Sequence, residues 1–297
     1  MKIFLTGATG YIGSAVAEAL QAAGHTVVGL ARSVEAEQTL KTRSITPARG
    51  DLSAPQSLIA ALESCEAVIH AGTTNDGHKD GDAVVAMLAK LKGTYKPFIY
   101  TSGIWVLGNT GDTPATEESP LNPPPIVAWR PSVEREVLSA GTNGVRGIVL
   151  RPAVVYGWGL GLPGLFVQTA NEKGAAYYIG SGQNRWPLVH VEDLADLYVR
   201  LVEKGSSGLY HGVEGPSIPT RDIAEAASFG AGAGGKTEPW TAEQASERLG
   251  PALVEALLLD QVVSGEKAKR ELGWAPQAVP LTEDLRFGSY AMARINP

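Results

Sequence analysis

Three glycines in the string TGATGYIG, at positions 7, 10 and 13, form the chain's most specific chemical pattern. Gly7 permits a tight turn after a strand, Gly10 lets backbone approach a pyrophosphate, and Gly13 lets a helix pack closely on that strand. The helix N-terminus then supplies a positive dipole to the anion. Thr9, Tyr11 and Ile12 share the loop and are expected at the same dinucleotide. At the end of the second strand, GLARS offers Ala31, Arg32 and Ser33 where a carboxylate would bind a ribose diol. Arg32 suits a 2′-phosphate instead, so the expected cofactor is NADP(H). Proton chemistry has four candidates: the Ser102 hydroxyl, the Arg130 guanidinium, the Tyr156 phenol and the His190 imidazole. Arg130 is permanently charged, so it can polarise an oxyanion or hold a cofactor but cannot act as a general acid. The alternative for Tyr156, Tyr177 and Tyr178 is a packed ring with a satisfied hydroxyl. His190 and His70 fit either a proton relay or a structural role. Trp105, Trp129, Trp158 and Trp186 suit a flat or apolar substrate, with Arg185 as the one basic group beside them.

These side chains need a scaffold, and the first half of the chain alternates short apolar runs (KIFLTG, HTVVGLAR, EAVIHAG, PFIYTSG, VRGIVLRP) with longer amphipathic ones. That alternation predicts repeated βαβ units, hence an α/β fold of Rossmann type with a doubly wound parallel sheet. Ligands are then expected at the C-terminal ends of the strands. The expected division is a cofactor-binding domain over 1–155, with 187–213 returning to it. Segments 156–186 and 214–297 are expected to form mainly a smaller C-terminal substrate lobe. IVAWRPSVEREVL, Ile126 to Leu138, reads as a helix after the stiff NPPP. GAGAGGKT, Gly230 to Thr237, matches a phosphate-loop pattern letter by letter. It follows a helix and precedes Pro239, so it is expected to be a plain loop.

Composition narrows the partners. A net charge of −6 without a basic cluster excludes nucleic acid and anionic membranes, leaving a small-molecule substrate. No apolar run is long enough to cross a bilayer. The lone Cys65 has no internal disulfide partner and no charged-then-apolar leader precedes the first strand, so the expected setting is a reducing cytoplasm. His78, among acidic neighbours in NDGHKDGD, offers no fixed ligand face, and no metal is expected.

The ordered set TGATGYIG, GDL, VIHAG, IYTSG…VLG, RPAVVYG, VHVEDLA and LGWAP resembles the extended branch of the short-chain dehydrogenase/reductase superfamily, epimerase/dehydratase-like. The resemblance implies that Asp51 and Leu52 border the adenine and Ala71 and Gly72 the phosphate and ribose. It places Pro152 to Val155 at the nicotinamide. It also implies a Ser or Thr with a Tyr-x-x-x-Lys pair, whose lysine lowers the tyrosine pKa for proton exchange. Here Gly103 falls at the serine position, Ile126 at the tyrosine position and Arg130 at the lysine position. Dimerisation through helices at 83–92 and 130–140 is common in the resembled family. The reading is an NADP(H)-dependent oxidoreductase lacking the usual triad, acting on a small aromatic or apolar carbonyl, enone or imine. An NADP(H)-sensing regulator and a nucleotide-sugar epimerase or dehydratase are the alternatives.

Overall fold

A computed structural model describes residues 1–74 and 76–292. Seven parallel strands form one sheet: β1 (Lys2–Thr6), β2 (Thr26–Ala31), β3 (Thr46–Arg49), β4 (Ala67–His70), β5 (Pro97–Thr101), β6 (Arg146–Pro152) and the edge strand Gly208–Gly212. Their spatial order is 208–212, β6, β5, β4, β1, β2, β3. Most of their residues are buried because helices cover both faces, which is why runs such as Ile3–Leu5 and Ile148–Leu150 are apolar without alternation. The order reverses at β1, whose neighbours are β2 and β4, so a crevice opens beyond the C-terminal ends of β1 and β4.

One face carries α1 (Tyr11–Ala22) and the helix Val191–Lys204, sealed by Val16, Leu20, Leu194 and Leu201. The other carries α3 (Ile59–Ser64), α4 (Gly77–Leu91) and α5 (Arg130–Ser139) over Phe4, Val68 and Phe98. Between β2 and β3 lies α2 (Val34–Thr42). Cys65 is buried filler in the second core. Segment 187–213 returns to the sheet, its edge strand pairing with β6. Residues 263–274 return as well: Val263, Ala268, Leu272 and Trp274 belong to the core under α1, not to the outer lobe expected for 214–297.

The outer lobe closes around Tyr156, Phe166, Ile223 and Leu285. Its strand Ala176–Ile179 pairs with Thr237–Trp240, so GAGAGGKT is a turn between a helix and a strand. α5 begins at Arg130, later than the expected Ile126. Pro125 opens a 3-10 turn, Pro125–Val127, that breaks the helical period. No helix among the described residues is long and apolar enough to cross a membrane.

Candidate functional site

The turn from β1 into α1 forms the outer half of the crevice. Gly7 has φ +76°, and a Cβ there would stand 2.7 Å from the Ala71 carbonyl oxygen. At Gly13 a Cβ would lie 2.1 Å from the Gly7 carbonyl oxygen, so helix and loop touch with no room for a side chain. The Thr6 hydroxyl accepts the Gly72 N–H at 3.0 Å and meets His70 Nδ1 at 2.8 Å, tying the ends of β1 and β4 together. Burial lowers the His70 pKa to about 4, so this imidazole is neutral and structural at ordinary pH. Above the loop lies a cleft of about 490 Å³ bordered by Gly7, Thr9, Gly10, Leu52, Ala71 and Gly72. Arg32 and Ser33 stand at its far end, where the Ser33 hydroxyl also caps α2 by accepting the Ala36 N–H. Tyr11 is turned aside: its hydroxyl donates to the Gly157 carbonyl at 2.9 Å and ties α1 to the lobe. The Asp51 carboxylate accepts the Ser53 N–H at 2.8 Å in the turn after β3, leaving Leu52 to face the cleft.

Ala71, Gly72 and Thr73 also border an inner half of about 340 Å³. Its walls are apolar, with Ile12, Trp105, Val127, Pro152 and Val155, and its polar groups are Thr73, Thr101, Ser102 and Arg130. Among the described residues lining both halves, the ionisable side chains are Arg32 and Arg130, two fixed cations without a carboxylate. Arg130 sits at the first position of α5, its guanidinium 3.5 Å from the Thr101 carbonyl and 5.3 Å over the Trp129 ring. Its Nε is buried without a partner. Ser102 is backed by a buried network: its hydroxyl donates to Glu134 at 2.5 Å, and Glu134 accepts two N–H groups from Arg151, at 2.9 and 2.5 Å. Arg151 in turn lies 3.5 Å from His211. Ile126, at the resembled tyrosine position, is 38% exposed on the 3-10 turn, and Val127 forms the wall instead.

Besides Tyr11 and Asp51, four further expected site residues lie outside the crevice. The Tyr156 ring is fully buried and its hydroxyl is held by Glu214 at 2.8 Å and the Val279 carbonyl at 2.9 Å. Burial and that carboxylate push the phenol pKa up, which opposes proton release. His190 packs edge-on to Tyr156 at 5.1 Å and accepts the Glu192 N–H as a helix cap. Arg185 is clamped by Asp260 at 2.7 Å and Asp112 at 2.9 Å. Trp186 gives its N–H to Leu257 at 3.0 Å and borders a separate hollow of about 30 Å³, room for about one water. Conversely, Thr73, Thr101 and Val127 reach the crevice unannounced; only Thr101, next to Ser102 in YTSG, carried a signal. Among the described residues no cluster has the ligands for a metal.

A seven-stranded parallel sheet with a glycine turn at its switch point defines a Rossmann-type dinucleotide fold. The chain belongs to the NAD dependent epimerase/dehydratase family, whose profile matches residues 3–212. It is 37% identical to an uncharacterized protein of Saccharomyces cerevisiae, over 96% of this chain and 98% of the relative. It is 25% identical to the 2-alkyl-3-oxoalkanoate reductase of Stenotrophomonas maltophilia, over 96% and 98%. The dTDP-glucose 4,6-dehydratase of Bacillus anthracis, solved with NAD, superposes with a TM-score of 0.80 at 19% identity, covering 99% of this chain and 97% of the other. The residues present fit a nicotinamide dinucleotide. Gly7 and Gly13 leave the loop without side chains, and the orphaned Arg130 Nε marks a polar position at the inner half.

Proposed function

We propose that this protein is an NADP(H)-dependent oxidoreductase acting on a small aromatic or apolar carbonyl, enone or imine, without a tyrosine acid. The observation that carries the reading is the inner half of the crevice: apolar walls around a guanidinium and three hydroxyls, with no phenol, ammonium or imidazole among its described lining residues. A bound nicotinamide supplies hydride exchange, and the protein's task is to orient and polarise. Gly7, Thr9 and Gly10 would take the pyrophosphate, Arg32 and Ser33 a 2′-phosphate, and Pro152 and Val155 the nicotinamide. Arg130 would stabilise negative charge on the substrate oxygen, which it can do at any pH the protein survives. A conjugated acceptor suits this arrangement, because water can protonate an enolate. The clamped Arg185 favours a substrate without a diphosphate, and so weighs against a nucleotide sugar.

That the described lining residues include no phenol, ammonium, imidazole or carboxylate also supports a second reading, an NADP(H) sensor that catalyses nothing. Titrating NADPH and following its oxidation across aldehydes, ketones, enones and imines separates the two. Micromolar binding with turnover of at least one enone or ketone is expected; tight binding with no turnover anywhere overturns the enzyme in favour of the sensor. Exposed Val85 on α4 and Leu138 on α5 lie on the helices that the family uses for dimers, and sedimentation would read a homodimer directly.

A further inference from the structure

Three hydroxyl-bearing residues, Thr73, Thr101 and Ser102, line the inner half of the crevice, and their buried hydrogen bonds set where each proton points. Thr73 donates to the Asp80 carboxylate at 2.5 Å. Ser102 donates to the Glu134 carboxylate at 2.5 Å, which is also paired with the Arg151 guanidinium. Thr101 differs. Its Oγ1 lies 2.6 Å from the hydroxyl of Tyr198, a residue of the helix Val191–Lys204 that is wholly buried beneath the sheet. A phenol has one proton to give. Among the described residues, Thr101 is the one hydrogen-bond partner of the Tyr198 hydroxyl, so if Thr101 were the donor, the phenolic proton would be stranded in the core at full desolvation cost. Tyr198 is therefore the donor, Thr101 the acceptor, and the Thr101 proton is left to turn toward the crevice.

We infer that Thr101 is the hydroxyl that donates a hydrogen bond to the substrate carbonyl oxygen, and that Tyr198 is a positioning residue which orients it. The inference rests on the carbonyl substrate proposed above and names the group that would touch it. Arg130, 3.5 Å from the carbonyl of the same residue, brings its charge to the same corner, so the oxygen would meet one neutral and one cationic donor. No proton need leave Tyr198, whose pKa burial pushes up. The pair orients a dipole and transfers nothing. Ser102, which adjoins the resembled serine position, is by the same accounting an acceptor toward the crevice and suits a substrate N–H or O–H.

The test uses benzamide, an unreactive aromatic carbonyl, titrated by calorimetry into protein saturated with NADPH, so that the result stands whether or not any substrate turns over. Millimolar or tighter binding is expected for the natural chain. Thr101→Val, which keeps the shape and removes the donor, is expected to weaken benzamide about tenfold while leaving NADPH affinity within twofold. Thr101→Ser is expected to restore benzamide affinity. Tyr198→Phe is expected to cost about threefold for benzamide with NADPH unchanged, since Thr101 keeps its hydroxyl and loses its orientation. The inference is overturned if the saturated natural protein does not bind benzamide, or if Thr101→Val binds it equally well. Failure of every carbonyl in the turnover panel with benzamide binding intact would remove the proposed activity and leave the Thr101 assignment standing.

Discussion

At the scale of single residues, the crevice sorts its glycines and arginines by what each must not obstruct. A Cβ at Gly10 would meet the Gly7 carbonyl oxygen at 3.2 Å, a tolerable approach, whereas one at Gly13 would overlap it at 2.1 Å. Gly10→Val should therefore fold and fail to bind either nicotinamide cofactor, because the branched side chain stands in the path of the pyrophosphate. Gly13→Ala should lower the unfolding midpoint in urea, since loop and helix must part. Wild-type cofactor affinity in folded Gly10→Val would show that the loop is not the phosphate site. Among the described residues Arg32 has no acidic ion-pair partner and it lines the cleft, so Arg32→Ala should weaken NADPH by about 1.5–3 kcal/mol and leave NADH unchanged. Equal affinity of the natural protein for the two cofactors would refute that assignment. The positions of these glycines and of Arg32 around the crevice were legible in sequence because they are local, set by a strand, a turn and a helix in succession. The roles of Tyr156, His190, Arg185 and Trp186 were not. Their partners Glu214, Val279, Asp260 and Leu257 lie distant in sequence or, as with Glu214 and His190, across a tertiary contact that periodicity does not describe.

Elements bring these residues together, and the junction of α5 with β6 is built on a buried charge pair. Glu134 and Arg151 are 2% and 3% exposed and joined by two hydrogen bonds, with Ser102 of the loop after β5 as a third member. Removing one partner strands the other charge in the core. Glu134→Ala should cost about 3–5 kcal/mol in urea unfolding, and the paired change Glu134→Leu with Arg151→Met should recover much of it. A loss below about 1 kcal/mol in the single variant would mean that water reaches the pair. Helices with strong periodicity, such as Val191–Lys204 and Thr220–Gly230, could be read directly from apolar spacing. The strand β3 (TPAR) could not, because a partly exposed edge strand carrying a proline gives neither an alternating nor a continuous apolar signal. The helix Gly164–Lys173 escaped notice for a related reason: three of its ten residues are buried, behind a glycine-rich loop that masks its start. The late start of α5 follows from Pro125, and Val127 stands in the wall where the family resemblance had placed Ile126.

For the molecule as a whole, acid is the condition that should loosen it, through two histidines held neutral at opposite parts of the sheet. His70 closes the crevice between β1 and β4. His211 lies on the edge strand, where Arg151 faces its Nε2 at 3.5 Å, the Ser264 carbonyl takes its Nδ1–H at 3.3 Å and Glu117 accepts its backbone N–H. Burial lowers both pKa values from 6.5, to about 4 for His70 and about 3 for His211, with Arg151 adding to the shift at His211 and Asp80 partly opposing it at His70. Below pH 6.5 the unfolded chain binds protons that the native fold refuses. Each histidine's neutral burial is therefore fully tolerated above that pH, and stability falls as pH drops from 6.5 toward each folded-state value. The slope is about 1.4 kcal/mol per pH unit for each histidine. Urea unfolding of the natural chain, His70→Asn and His211→Gln at half-unit steps from pH 8 to 5 isolates the effect, because all other titrating groups are shared. Each variant should lie a fixed amount below the natural chain from pH 8 to 7 and then gain on it by about that slope as acid is added. A gap that stays constant down to pH 5 would show that the imidazole in question takes up its proton as readily in the fold as out of it, and that water or a carboxylate reaches it there.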